Sequence, residues 1–233
     1  MKITVFTSSH LRHRYLVCVL SKFFDQVLYI NENKPYIRSK KSSLKKFYFK
    51  KVKETEKKIF GLVSLRKKNI KKYNFKYRCI NYKKLLRDNT FVNSDYYLVF
   101  GSSLIKNELL NYLIKKKAIN LHMGLLPYYR GTDCNFWAIH DNNRDKVGAS
   151  LIYLSKKIDA GKVIKVFKPK QCKNNFYLTM SACKSSLDNL VKFLLKSKKK
   201  FSKIKINKNK LKRFSSFDDF DDSAIKNYLN FKN

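Results

Sequence analysis

Short apolar runs alternate with stretches of helical periodicity, and this alternation limits the fold of the chain more than any other feature. Residues 3–7, Ile-Thr-Val-Phe-Thr, read as a buried strand. Residues 11–24 place apolar side chains at helical spacing, and residues 26–30, Gln-Val-Leu-Tyr-Ile, read as the next strand. Strand, helix, strand is a βαβ unit, which predicts a parallel sheet. Over 34–90 the pattern is less regular, with a helix predicted near 52–66, a strand near 77–80 and a short helix near 83–87. Residues 96–100, Tyr-Tyr-Leu-Val-Phe, form a strand that turns at Gly101-Ser102-Ser103 into a helix over 106–115, and 118–121 is again strand-like. A longer strand follows at 147–154. Residues 163–167 are predicted to pair antiparallel to it, and 176–196 to form a helix. The expected fold is α/β and Rossmann-like, a mostly parallel sheet flanked by helices.

The chain has 233 residues, 44% of them hydrophobic. It is expected to form a single domain, 1–233, that buries a core without disulfide or metal staples, with a Lys-rich tail from about 197. No run approaches the ~20 apolar residues that span a bilayer. The N-terminal apolar run is too short for a signal peptide, so a cytoplasmic location is expected and no membrane partner. The cysteines, Cys18, Cys79, Cys134, Cys172 and Cys183, are scattered and odd in number with no CxxC pair. Reduced buried thiols are expected, with no metal site. The charge balance, 53 basic against 16 acidic residues for a net +37, points in two directions. It could attract nucleic acid. However, 44 of the 53 are Lys and only 9 Arg, spread through every region, as compositional bias would give. Specific phosphate and base readers favour Arg, so compositional bias is the preferred reading.

In an open α/β sheet, ligands sit beyond the carboxyl ends of the strands. Three turns are predicted there: 7–10, 101–104 and 121–126. Asn120 and His122 stand two residues apart at a strand end, and alternation puts them on one side of the sheet. A turn rich in Gly and Pro follows, Met123-Gly-Leu-Leu-Pro-Tyr-Tyr-Arg-Gly131. Such a pair meets a substrate or merely satisfies local backbone groups; the residues alone leave both open.

The wider context decides more. Asn120-Leu-His-Met-Gly-Leu-Leu-Pro-Tyr-Tyr-Arg-Gly resembles the signature of the folate-dependent formyltransferases, Asn-x-His followed by Ser-Leu-Leu-Pro. That family includes glycinamide ribonucleotide, methionyl-tRNA and sugar-nucleotide formyltransferases. Its second motif, Asp-x-Gly after a strand, matches Ile158-Asp159-Ala160-Gly161. The resemblance is densest over 96–167, and Gly124 stands where many members have Ser.

The resemblance implies a formyltransferase fold and formyl transfer from 10-formyltetrahydrofolate to a primary amine, with no metal. It implies Asn120 as a donor to the developing oxyanion and His122 as a second donor, with Asp159 orienting and charging His122 and relaying the amine proton. It implies a folate cleft between Phe100, Gly101, Ser102, Ser103, Leu104 and Ile105 on one side and Ile158 in the loop 154–158 on the other. Core packing is the alternative role for Leu104 and Ile105. Acceptor contacts are expected from Ser9, His10, Tyr128 and Arg130. The acceptor expected is an amino sugar or nucleotide-linked amino sugar, since Tyr-Arg-Gly follows Leu-Leu-Pro. Glycinamide ribonucleotide fits less well, because Thr7-Ser8-Ser9-His10 lacks the glycines of a phosphate-binding loop. Methionyl-tRNA is a further alternative. A basic RNA-binding module with a decayed site is the competing class.

Overall fold

The computed structural model describes residues 1–33, 42–197 and 201–230. The chain runs β1 (Lys2–Ser8), α1 (Leu11–Leu20), β2 (Gln26–Asn33), α2 (Ser43–Phe60), β3 (Ile70–Lys76), α3 (Tyr82–Leu86), α4 (Asn89–Val92) and β4 (Tyr96–Val99). It continues through α5 (Asn107–Lys115), β5 (Ile119–His122), β6 (Tyr129–Gly131), α6 (Cys134–His140), β7 (Ala149–Tyr153) and β8 (Val163–Phe167). It ends with α7 (Asn175–Ser197), β9 (Arg213–Ser215) and α8 (Asp222–Asn230).

Seven strands form one sheet in the order β3-β2-β1-β4-β5-β7-β8. The strands from β3 to β5 are mutually parallel, and β7 and β8 join antiparallel. The sheet is therefore mostly parallel and flanked by helices, as the alternating pattern predicts. The strand order reverses between β1 and β4, the switch point where open α/β sheets bind ligands. The parallel strands are buried on both faces. On one side, α1 and α7 contribute Leu16, Val17, Leu187, Leu190 and Leu194 to a core with Val5 and Leu98. On the other side, Phe91, Leu109 and Leu113 pack against Phe6, Leu28 and Val99. Burying each such side chain stabilises the fold by about 1.5–3 kcal/mol.

Two elements and the cysteines depart from expectation. The helix predicted near 52–66 is α2, which starts earlier because the Ser42 side chain caps it, accepting from Lys45 N at 3.1 Å. The strand predicted near 77–80 lies at 70–76. Its lysines, Lys71, Lys72 and Lys76, hide the apolar pattern, and they are tolerated because β3 is an edge strand. Only Cys134 and Cys183 are buried thiols, while Cys79 is exposed on the turn after β3.

The segment after 200 packs onto the body. Ile204 bridges to Val163 at the β8 edge, and β9 pairs in parallel with β6. On α8, Ala224, Ile225 and Tyr228 are buried in an aromatic cluster with Tyr48, Phe136 and Trp137. Tyr228 and Phe136 stack with ring centroids 4.7 Å apart. No described helix is long and apolar enough to cross a membrane.

Candidate active site

β5 carries Asn120 and His122, and its place in the sheet sets their surroundings. β4 lies on one side in parallel, with Val99 opposite Asn120, and β7 lies on the other side antiparallel, with Ser150 opposite His122. Asp159 arrives from the β7–β8 connection. Its backbone is left-handed, at φ 45°, a conformation Asp tolerates better than most side chains. From there its carboxylate meets both residues of β5. Asn120 Nδ2 donates to Oδ1 at 3.3 Å, and His122 Nδ1 lies 3.3 Å from Oδ2. The backbone N–H of Gly131 also donates to Oδ2, at 3.1 Å.

The opposite edge of the imidazole faces the Tyr129 carbonyl, with Nε2 3.1 Å from the oxygen. Both ring nitrogens therefore face acceptors, and only the imidazolium donates to both. His122 is 6% exposed and its ring is held in the β5–β6 turn, so a second oxyanion bond from Nε2 requires the Tyr129 contact to open. Asn120 is only half-buried. The two 3.3 Å contacts to Asp159 are longer than the usual N–H···O bond.

The turn after β5 is fastened from below. The buried Ser150 hydroxyl donates to Gly124 O at 2.8 Å and accepts from Leu126 N at 2.9 Å. The departure at Gly124 has a local cause. A Cβ there would lie 2.6 Å from His122 Nε2 and 2.6 Å from Cys134 Cβ, so Cys134 occupies the space a side chain would need. Gly131 is required for another reason. It has φ 93°, and a Cβ would stand 1.9 Å from the Ser215 carbonyl oxygen, so glycine lets β9 close against β6.

Arg130 reaches from β6 to the β7–β8 connection that carries Asp159. Its guanidinium donates to the Ile158 carbonyl, lies 5.3 Å from the Phe214 ring centroid, and leaves Nε buried without a hydrogen-bond partner. Lys146 covers the Tyr128 ring at 4.8 Å, and the Tyr128 carbonyl accepts from Lys212 N and Arg213 N. Ser9 and His10 are exposed on the β1–α1 turn, at the carboxyl end of β1 and separated from β5 by β4. Among the 100–105 residues, Phe100, Ser103 and Ile105 are buried, whereas Leu104 is 51% exposed; Ile158 is 46% exposed. Each of the two predicted cleft walls thus offers one large uncovered apolar side chain.

Sequence reasoning missed several groups here. The backbone of Tyr129 and Gly131 leaves no side-chain signal. His13, buried beside Phe100 with ring centroids 4.7 Å apart, is held by Thr7 Oγ at 2.8 Å and Ser8 Oγ at 2.9 Å from Nδ1. It carries no motif. Phe214 reaches Arg130 only through the pairing of β9 with β6. Two surface cavities lie apart from the triad. One, about 370 Å³, sits at the amino ends of β2 and β3 by Gln26 and Asn69. The other, about 510 Å³, lies between Arg78–Tyr82 and Ser103–Leu109. The polar geometry at Asp159, and not cavity size, marks the candidate centre. Among the described residues, no group of three or more His, Cys, Asp or Glu could hold a metal ion.

Known proteins share both sequence and fold with the chain. A stretch of 66 residues is 44% identical to methionyl-tRNA formyltransferase of Mycoplasmopsis pulmonis, covering 28% of this chain and 22% of that protein. The chain thus matches about a fifth of that relative's length. A 4-N formyltransferase from Francisella tularensis superposes with a TM-score of 0.58 at 20% identity, over 98% of this chain and 86% of that one. An N-formyltransferase from Helicobacter canadensis, solved with folinic acid and dTDP-3-aminofucose, gives 0.55 at 16% identity, over 98% and 79%. At these identities the superpositions speak for the fold. The formyl transferase family model matches residues 3–176, well over half of the 233, and the chain belongs to the formyl transferase family.

Proposed function

We propose that the protein transfers the formyl group of 10-formyltetrahydrofolate to a primary amine on a small molecule, an amino sugar or nucleotide-linked amino sugar. The observation that carries this reading is the meeting of Asn120, His122 and Asp159 on one carboxylate at the carboxyl end of β5. A decayed site would have no reason to keep all three in register.

The donor brings an acyl carbon whose oxygen gains negative charge when a neutral amine adds to it. The half-buried Asn120 amide donates to that oxygen, exchanging its long contact with Asp159 for a charge-assisted one. Asp159 accepts the proton that the amine sheds, directly or through a water, while the His122 ring, 3.3 Å from Oδ2, holds the carboxylate in place. That proton then goes to the departing folate nitrogen as the carbon–nitrogen bond breaks. No covalent intermediate on the protein is needed. Leu104 and Ile158 supply apolar surface for a planar ring, and the backbone of 101–105 offers groups for its polar edge. Arg130 and Phe214 border the acceptor side.

Methionyl-tRNA is the second reading. It draws on the local identity to a methionyl-tRNA formyltransferase and on the net charge of +37. Titration calorimetry with folinic acid, which cannot donate through the same nitrogen, tests the donor half of the proposal. Saturable heat and a raised melting temperature are expected, since a ligand held by the native state alone stabilises it. No heat and no shift overturns the donor assignment.

A further inference from the structure

Glu32 stands at the carboxyl end of β2, is fully buried, and belongs to neither sequence motif. Its carboxylate accepts three hydrogen bonds. Ser103 N donates to Oε2 at 2.6 Å, Ser103 Oγ donates to Oε1 at 2.5 Å, and Arg78 N donates to Oε1 at 2.9 Å. One side chain therefore ties β2 to the turn after β3 and to the irregular segment that follows β4. That segment, 102–106, has no strand or helix pairing of its own to fix its course. The same two backbones flank the 510 Å³ cavity lined by Arg78, Ile80, Tyr82, Ser103 and Leu104.

The geometry points to Glu32 as the positioning residue for the donor-binding loop: it sets the backbone of 102–105 at which the pteridine edge of the formyl donor is read. This rests on the donor assignment proposed above. A carboxylate is specifically required. Each of its oxygens faces a backbone N–H, Ser103 on one and Arg78 on the other, and neither donor can turn away. A glutamine would bring an amide NH₂ against one of these N–H groups whichever way it flipped. A buried donor left facing a donor drives the backbone apart. The loop would then present its peptide groups out of place, and donor affinity would fall while Asn120, His122 and Asp159 stayed as they are.

The test compares folinic acid affinity by calorimetry, together with melting temperature, for wild type, Glu32→Gln, Ser103→Ala and Asp88→Asn. Asp88 is the control for general destabilisation. It is buried on the same side of the sheet and caps α4 through Thr90 N and Phe91 N, but it does not touch the 102–105 loop. Glu32→Gln is expected to weaken binding about tenfold, the loss of one charged hydrogen bond. Ser103→Ala, which keeps the backbone bond to Oε2, is expected to weaken it about threefold. Asp88→Asn should lower the melting temperature without changing affinity. Equal affinity in folded Glu32→Gln and wild type overturns the positioning role and leaves the donor assignment standing. An equal affinity loss in Asp88→Asn at matched melting temperature also overturns it, since the effect would then be general softening. Failure of the wild-type protein to bind overturns the donor assignment and this role with it.

Discussion

At the scale of single residues, Asp159 is the hub, because it touches Asn120, His122 and the Gly131 backbone. Its neighbours should therefore act as a unit. Asn120→Ala and His122→Ala are each expected to cut turnover by about 10²–10³, the usual loss on removing one donor to an oxyanion or its support. The double variant should lose less than the product of the singles. Near-native circular dichroism is expected for both, as steady-state assays on folded protein can verify. Gly124→Ala carries a different expectation. Its Cβ would press on His122 and Cys134, so melting should fall by the equivalent of about 1–3 kcal/mol, with turnover reduced by displacement of the imidazole. The triad could be read in the sequence because its motifs use side chains with few alternatives at that spacing. Tyr129 O and Gly131 N could not, since every residue owns such groups. Glu32 could not either, because its partners, Ser103 and Arg78, lie 71 and 46 residues away.

At the scale of elements, the β9–α8 segment holds the β5–β6 turn in place. Arg213 donates to Asp141 with both Nε, at 2.9 Å, and Nη2, at 2.7 Å, and lies 4.3 Å from the Trp137 ring centroid. Burial works to raise the Asp141 carboxyl, but the Arg213 bonds and the His140 contact outweigh it and hold the group below its ordinary value. A lowered folded-state value means stability that is present above the unfolded carboxylate's range, near pH 4, and lost as pH falls through the lower folded value. Asp141→Asn should therefore cost about 1–2 kcal/mol at neutral pH, less than a dry pair because both partners are partly exposed. The cost should vanish in strong acid, a difference that denaturant melts across pH can follow. Removing everything after 200 should do far more, uncovering Tyr48, Phe136 and Trp137; aggregation or loss of the cooperative transition is expected in light scattering and thermal melts. The buried parallel strands β1, β2, β4 and β5 could be read from their apolar runs, whereas the lysines of the edge strand β3 hid its pattern. β6 and β9, three residues each, could not, because such strands exist only through pairing with each other. α8 does carry Ala224, Ile225 and Tyr228 at helical spacing, but a nine-residue helix is marginal by itself and forms here by packing on the aromatic cluster.

At the scale of the whole molecule, the net charge of +37 sets a repulsion that the fold must overcome. Raising monovalent salt from low ionic strength toward ~0.5 M should increase the melting temperature, as screening relieves that repulsion. Lys71, Lys72 and Lys76 on the β3 edge, and Lys165 on the β8 edge, place charge where another sheet would have to pair. The acceptor is where the two proposed readings part. A small amine should be formylated at a rate little affected by salt, whereas an RNA acceptor should lose affinity steeply. The most direct test of the account is release of tetrahydrofolate from 10-formyltetrahydrofolate by wild type and by His122→Ala. Both would be offered a panel of amino sugars, nucleotide-linked amino sugars, glycinamide ribonucleotide and methionyl-tRNA. Amine-dependent release by wild type with at least one acceptor, reduced at least about 10²-fold in the folded variant, is the predicted result. A folded His122→Ala protein that keeps the wild-type rate, or a wild-type protein inert toward every amine, would contradict the account.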